Sequence, residues 1–142
     1  MTEIHIRQFR YPEDYESALG LWNSVGAGVR VGPSDTPEEI QKKMERDPDL
    51  FLVAEAGPNI VGTVIGGFDG RRGTVYHLAV ADDFRRQGVA SQLMGELEQR
   101  LRNKGCIRAY LVVRPDNESA MKYYEAIGWG QLDDFLFAKN LE

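Results

Sequence analysis

The stretch Leu78-Ala79-Val80-Ala81-Asp82-Asp83-Phe84-Arg85-Arg86-Gln87-Gly88-Val89-Ala90 holds the residues whose types and spacing best suit chemistry. A strand ends, a short polar turn follows, and a long helix begins at a glycine. The first turn of a helix leaves several backbone N–H groups unpaired, with the positive end of the helix dipole behind them. Such an end ordinarily carries Asp or Glu, yet Arg85 to Gln92 contains two arginines and no acid. Positive side chains at a positive dipole end are locally unfavourable. They make sense if a ligand, most simply a phosphate group, brings the missing negative charge. Gly88 would let backbone approach that anion closely, and Ala90 is small enough not to obstruct it. The plainer alternative is a solvated turn with two exposed arginines. Neither G-x-x-x-x-G-K-[ST] nor G-x-G-x-x-G occurs, so the parts for ATP hydrolysis or dinucleotide hydride transfer are missing.

A second set of polar residues lies downstream. Tyr124, Ala120 and Gly128 fall at steps of four, so they share one helix face, and Asn117 stands just before that helix at a capping position. On their own these residues read equally as a helix cap and a packed aromatic.

The elements that must position these groups follow from periodicity. Glu3 to Phe9 alternates like a half-buried strand, and Pro12 opens a helix with Tyr15, Leu19 and Trp22 on one face. Residues 26–35 form a Gly-, Pro- and Ser-rich loop, and Thr36 caps a short helix to about Arg46. Three strands, 50–56, 60–68 and 74–80, make an antiparallel meander. From Gly88, residues Val89, Leu93, Leu97 and Leu101 recur at helical spacing, and Lys104-Gly105 ends that helix. Ile107 to Val113 reads as a central strand covered on both faces, 118–127 as a helix, and 129–139 as one or two strands. There is no linker, repeat or low-complexity tract, which predicts one α+β domain over residues 1–142.

Composition narrows the classes. The 142 residues carry 17 Lys+Arg against 22 Asp+Glu, a net charge of -5, which argues against bulk nucleic-acid affinity. No apolar run approaches the ~20 residues of a membrane span, and the opening MTEIHIRQF lacks a signal-peptide pattern. With Cys106 as the single cysteine and His5 and His77 as the histidines, there is no disulfide and no credible zinc set. A cytoplasmic protein without metal, and with neither a nucleic-acid nor a membrane partner, is expected.

Arg85-x-x-Gly88-x-Ala90 resembles the [RQ]-x-x-G-x-[GA] signature of the GNAT superfamily, the GCN5-related N-acetyltransferases. Asn117-x-x-Ala120-x-x-x-Tyr124-x-x-x-Gly128-Trp129 is similar to the family's second signature, and the order of elements matches over essentially the whole chain. Small stand-alone bacterial members are the most similar. The resemblance implies the GNAT fold: a mixed, mostly antiparallel sheet splayed between its fourth and fifth strands, with helices on both faces. It also implies acetyl-CoA as co-substrate. The diphosphate would lie on the amides of Arg86, Gln87, Gly88, Val89 and Ala90, reaching as far as Ser91, with Arg85 adding charge. Pantetheine would run beside Leu78-Ala79-Val80, where an N–H near Val80 would polarise the thioester carbonyl. Asn117 would hydrogen-bond the pantetheine, and Tyr124 would protonate the departing thiolate.

The base is the part that the pattern leaves open. Strand alternation places Thr74 and Tyr76 on the cleft face and points His77 to the other, so Tyr76 or a water chain is the expected route for the proton and His77 a structural residue. Arg30, Asp35, Glu38 and Glu39 could meet an acceptor but read as surface charges, Trp22 as core, and Cys106 as a small buried hydrophobe. The expected reaction is direct acetyl transfer to a primary amine of a small molecule or a protein N-terminus. The rival is a GNAT-fold module that holds CoA without turnover. An edge strand at 129–139 could pair across a homodimer.

Overall fold

The computed structural model describes residues 3–141. Their contacts fall into two compact units, Met1–Val112 and Val113–Glu142. The first unit runs β1 (Ile4–Gln8), α1 (Tyr15–Ser24), α2 (Pro37–Arg46), β2 (Phe51–Ala56), β3 (Asn59–Phe68), β4 (Gly73–Val80), α3 (Val89–Asn103) and β5 (Ala109–Leu111). The five strands form one sheet in chain order. β1 to β4 are antiparallel, and β5 joins β4 in parallel.

Local chemistry explains the boundaries. Thr36 caps α2 by accepting the Glu39 N–H at 3.3 Å, and Pro37 follows it at the first helical position, as the sequence predicts. Asp69 ties the β3–β4 turn by accepting the N–H groups of Arg71 and Arg72 at 2.8 Å each. Alternation along β2 sends Phe51 and Val53 into a core shared with Phe9, Ala18, Trp22 and Ile40, so α1 and α2 cover one face of the sheet. The other face takes Val89, Leu93, Leu97 and Leu101 of α3, each almost wholly buried. Each such side chain contributes about 1.5–3 kcal/mol. Gly66 lets α3 seat this closely, because a Cβ there would lie 2.4 Å from Leu97 Cδ1.

β5 pairs with Gly73, Thr74 and Val75 alone. From Tyr76 to Val80, β4 therefore has β3 on one side and no strand on the other among the described residues of this unit, which is the expected splay between the fourth and fifth strands. β5 itself is shorter than the 107–113 strand expected from composition. Ile107 is 94% and Val112 65% exposed, so the run is not a strand covered on both faces. Apolar residues make a strand only over the length of edge they can pair with, and the parallel ladder stops where β4 departs from regular geometry.

The second unit is built on α4 (Glu118–Ala126), capped by Asn117 and closed by Gly128 in the left-handed region at φ 104°. The strands expected over 129–139 are not formed, and Phe135 and Phe137 stand 91% and 90% exposed. Alternation can mark a face, but it cannot supply the neighbouring edge that a ladder requires. The edge strand on which a dimer contact was expected is thus absent.

Candidate active site

The N–H groups along a strand alternate in direction. The Ala81 N–H donates to the Val61 carbonyl at 2.8 Å, so the N–H groups of Val80 and Leu78 face the open side of β4. Ala79 is buried against α1, whereas Leu78 and Val80 are half-buried. An extended ligand could add to this edge as a strand does.

The edge leads directly into the glycine-started helix. Gly88, at φ 81° and ψ 9°, is the N-cap residue and offers no side-chain cap, and no acid lies in the first turn of α3. The first helical bond runs from the Gln92 N–H to the Gly88 carbonyl at 3.0 Å. Arg86 is also left-handed, at φ 62°, so two left-handed residues lie within three positions of each other just before the helix. A Cβ on Gly88 would meet nothing within 4 Å, so it is the backbone angle, with the open space above it, that asks for glycine. Arg85 donates to the Val80 carbonyl at 3.5 Å and pairs with Asp82 at 3.3 Å. That exposed pair is worth no more than about 1 kcal/mol, little obstacle to an incoming phosphate.

β4 carries an irregularity that simple alternation missed. Ile65 pairs with Tyr76 but Thr63 with Ala79, so His77 and Leu78 together oppose Val64. This is a β-bulge, and His77 sits in it at φ 51°. A non-glycine residue there costs about 1–2 kcal/mol. The bulge overturns the expectation that His77 points away from the Tyr76 side. Its ring lies 4.8 Å from that of Trp22 in α1, on the face that Ile65 and its partner Tyr76 share. Trp22 Nε1 donates to Thr63 Oγ1 at 2.8 Å, and that hydroxyl donates to the His77 carbonyl at 2.9 Å, which locks the bulge from beneath.

His77 Nε2 lies 2.8 Å from Asp35 Oδ1. Asp35 is only 6% exposed, which corrects its reading as a surface charge. Burial pushes its carboxyl up, but the bonds from His77 and the Gly32 N–H outweigh that and hold it below the usual carboxylate range. The Tyr15 hydroxyl donates to the Asp35 carbonyl at 2.6 Å and fixes the loop to α1. Asp35 and His77 are 42 residues apart, so no local pattern could have joined them. Tyr76 is 54% exposed, while Arg30 and Glu38 are surface groups. Cys106 is half-buried, its thiol on the Arg108 carbonyl at 3.4 Å.

In the second unit, Asn117 Oδ1 accepts the Ala120 N–H at 3.2 Å, which bears out its capping position. Ser119 Oγ donates to the same oxygen at 3.2 Å, so both bonds fall on the carbonyl side of the amide. Tyr124 packs edge-on against Tyr123 and Trp129 at 5.5 and 6.2 Å, and its hydroxyl has no hydrogen-bond partner among the described residues. Burial, with Tyr123 adding, pushes its phenol up to about 12. Among the described residues, no group of three or more His, Cys, Asp or Glu could hold a metal ion, and no helix is long and apolar enough to cross a membrane.

Comparison with known proteins places this arrangement. The sequence profile of the acetyltransferase (GNAT) family matches residues 10–129. An acetyltransferase of Pectobacterium atrosepticum is 40% identical over 139 residues, covering 97% of this chain and 96% of its own. Among solved structures, Ard1 of Thermoplasma volcanium superposes with a TM-score of 0.76 at 27% identity, over 88% of this chain and 81% of that one. The PaiA N-acetyltransferase of Thermoplasma acidophilum, solved with coenzyme A, reaches 0.81 at 19% identity, over 94% and 93% of the two chains. With the signature helix, the splayed sheet and relatives matched from end to end, the chain belongs to the acetyltransferase (GNAT) family.

Proposed function

We propose that this protein transfers an acetyl group from acetyl-CoA directly to a primary amine. The observation that carries the reading is the open edge of β4 at Leu78 and Val80 running into the glycine-started α3. The amides from Arg86 to Ser91, with Arg85, take the diphosphate, and the Leu78–Val80 edge takes the pantetheine arm. The family match and the coenzyme A bound to the PaiA relative support this use of the edge. Asn117 and Tyr124 are the second-signature positions to which the family resemblance gives contact with the pantetheine and with the departing thiolate.

The chemistry assigns unlike tasks to two ends of the reaction. An acceptor amine is mostly protonated near neutrality and must lose a proton before it attacks. The leaving thiolate of CoA needs stabilising as the C–S bond breaks. Tyr124, at about 12, lies three to four pH units above an ordinary thiol near 8.5, so full proton transfer to sulfur alone would be uphill by about 5 kcal/mol. Tyr124 therefore acts as a hydrogen-bond donor to the developing thiolate and passes its proton as another arrives from water. The acceptor is a small molecule or a protein N-terminus.

Release of CoA thiol from acetyl-CoA tests the reading, with spermidine, Nα-acetyl-lysine and an unblocked tripeptide as acceptors. Amine-dependent release supports it. Tight binding of acetyl-CoA with no release from any of the three overturns the transfer reading in favour of a module that only holds CoA.

A further inference from the structure

We propose that His77, oriented by Asp35, is the base that takes the proton from the acceptor's ammonium group, an inference that rests on the transfer reading above. The pair stands beside the open edge of β4 and is held there by hydrogen bonds. His77 immediately precedes Leu78, whose N–H faces the open edge where the thioester arm would lie. The bulge turns the imidazole to the side of the sheet covered by α1 and the 26–35 loop, whereas regular alternation would have sent it towards α3. A non-glycine residue held in the left-handed region, with its carbonyl clamped by Thr63, is an expense of stability that a merely space-filling side chain does not require.

The ring's two nitrogens are unequal. Nε2 meets the Asp35 carboxylate at 2.8 Å and so carries the hydrogen, while Nδ1 has no hydrogen-bond partner among the described residues. The His77 side chain keeps 18% of its surface exposed, so Nδ1 can meet a ligand or water. A carboxylate on one nitrogen fixes the tautomer and stabilises the imidazolium once the other accepts a proton. The elements packed around the ring offer Trp22 from α1, Thr63 from β3 and Asp35 from the loop, and Asp35 is the charged group among them. β4 has no Asp or Glu of its own. An imidazole nitrogen with a free lone pair accepts a proton more readily than a phenol does. Asp35 is thus a positioning residue, and His77 the group that meets the substrate.

The protons balance as follows. The ammonium gives one proton to Nδ1, leaving an imidazolium on Asp35. The amine nitrogen then bonds to the thioester carbonyl carbon, and the C–S bond breaks. The nitrogen loses its second proton to water as the sulfur gains one through Tyr124. His77 returns its proton to solvent, so each turnover releases one H+ overall.

The test combines spectra and rates on the intact protein. With two histidines in the chain, imidazole 15N–1H correlation spectra of wild type and His77→Gln identify the His77 ring. The expected tautomer has the hydrogen on Nε2, where the Asp35 carboxylate lies 2.8 Å away. In CoA-release assays with the best of the three amines, His77→Gln should lower kcat/KM at pH 7 about 100-fold or more and abolish its lower-pH limb. Asp35→Asn should lower it about tenfold and shift that limb, Asp35→Glu should restore part of the rate, and acetyl-CoA affinity should stay within about twofold in all three. Hydrogen on Nδ1, or an unchanged pH profile in His77→Gln with acetyl-CoA still bound, overturns the dyad alone. A wild type that binds acetyl-CoA but acetylates none of the amines overturns the transfer reading and the dyad's task with it.

Discussion

Replacing Thr63 by valine removes one hydroxyl that holds both the buried Trp22 indole and the His77 carbonyl. Thr63 is 0% exposed and Trp22 1%. The hydroxyl accepts from Trp22 Nε1 at 2.8 Å and donates to the His77 carbonyl at 2.9 Å. Valine keeps the branched shape at Cβ but leaves the indole N–H without an acceptor, at a cost of about 1–3 kcal/mol. Loss of the bond to the His77 carbonyl adds about 1 kcal/mol, and the extra apolar group returns about 0.8 kcal/mol. The net expectation is a loss of about 1–3 kcal/mol, since the indole is too deep for water to replace the partner. Equilibrium urea unfolding, followed by tryptophan fluorescence, reads this as a lower midpoint at unchanged slope. Thr63→Ser keeps the hydroxyl and should lose only about 1 kcal/mol, through the missing methyl. A Thr63→Val protein within about 0.5 kcal/mol of wild type would refute the claim that this hydroxyl organises the bulge.

Two further outcomes are expected. Asp14 accepts Arg7 Nη1 and Nη2 at 2.7 and 2.9 Å and the Arg10 N–H at 2.8 Å, and although burial pushes its carboxyl up, these bonds hold it below the usual range. Asp14→Asn should cost about 3 kcal/mol at pH 7 by urea unfolding, and since a depressed carboxylate stabilises above its unfolded value, the gap to wild type should close as pH falls below about 4. Tyr124→Phe should lower kcat about 100-fold with little change in acetyl-CoA affinity, and in wild type the rate should show no loss from Tyr124 ionisation until pH approaches about 12.

Much of the frame is legible from periodicity because it depends on near neighbours. The α3 pattern of Val89, Leu93, Leu97 and Leu101 sets its buried face, and the turn at Asp69 sets the step from β3 to β4. Asn117 is legible as a cap because its partner, Ala120, lies three residues away. What escapes is what depends on pairing and distance. Alternation assumes one residue opposite one, so the two-against-one bulge at His77 and Leu78 reversed the side assigned to the imidazole. Asp35 looks like loop solvent-facing charge until the fold brings it to His77 and Tyr15. The runs 107–113 and 129–139 have strand composition, but only Ala109–Leu111 finds an edge to pair with.

The central claim is that the glycine-started α3 is a cradle for the phosphates of acetyl-CoA, and calorimetric titration of wild type and Gly88→Glu tests it most directly. A Cβ at Gly88 meets nothing within 4 Å, so the variant should stay folded by circular dichroism with a modest loss from its φ of 81°. The added carboxylate would occupy the anion's place. The account predicts wild-type binding and a loss of at least about 100-fold, or roughly 2.8 kcal/mol, in the variant. Wild type that fails to bind acetyl-CoA at millimolar concentration, or equal binding by both proteins, would contradict it.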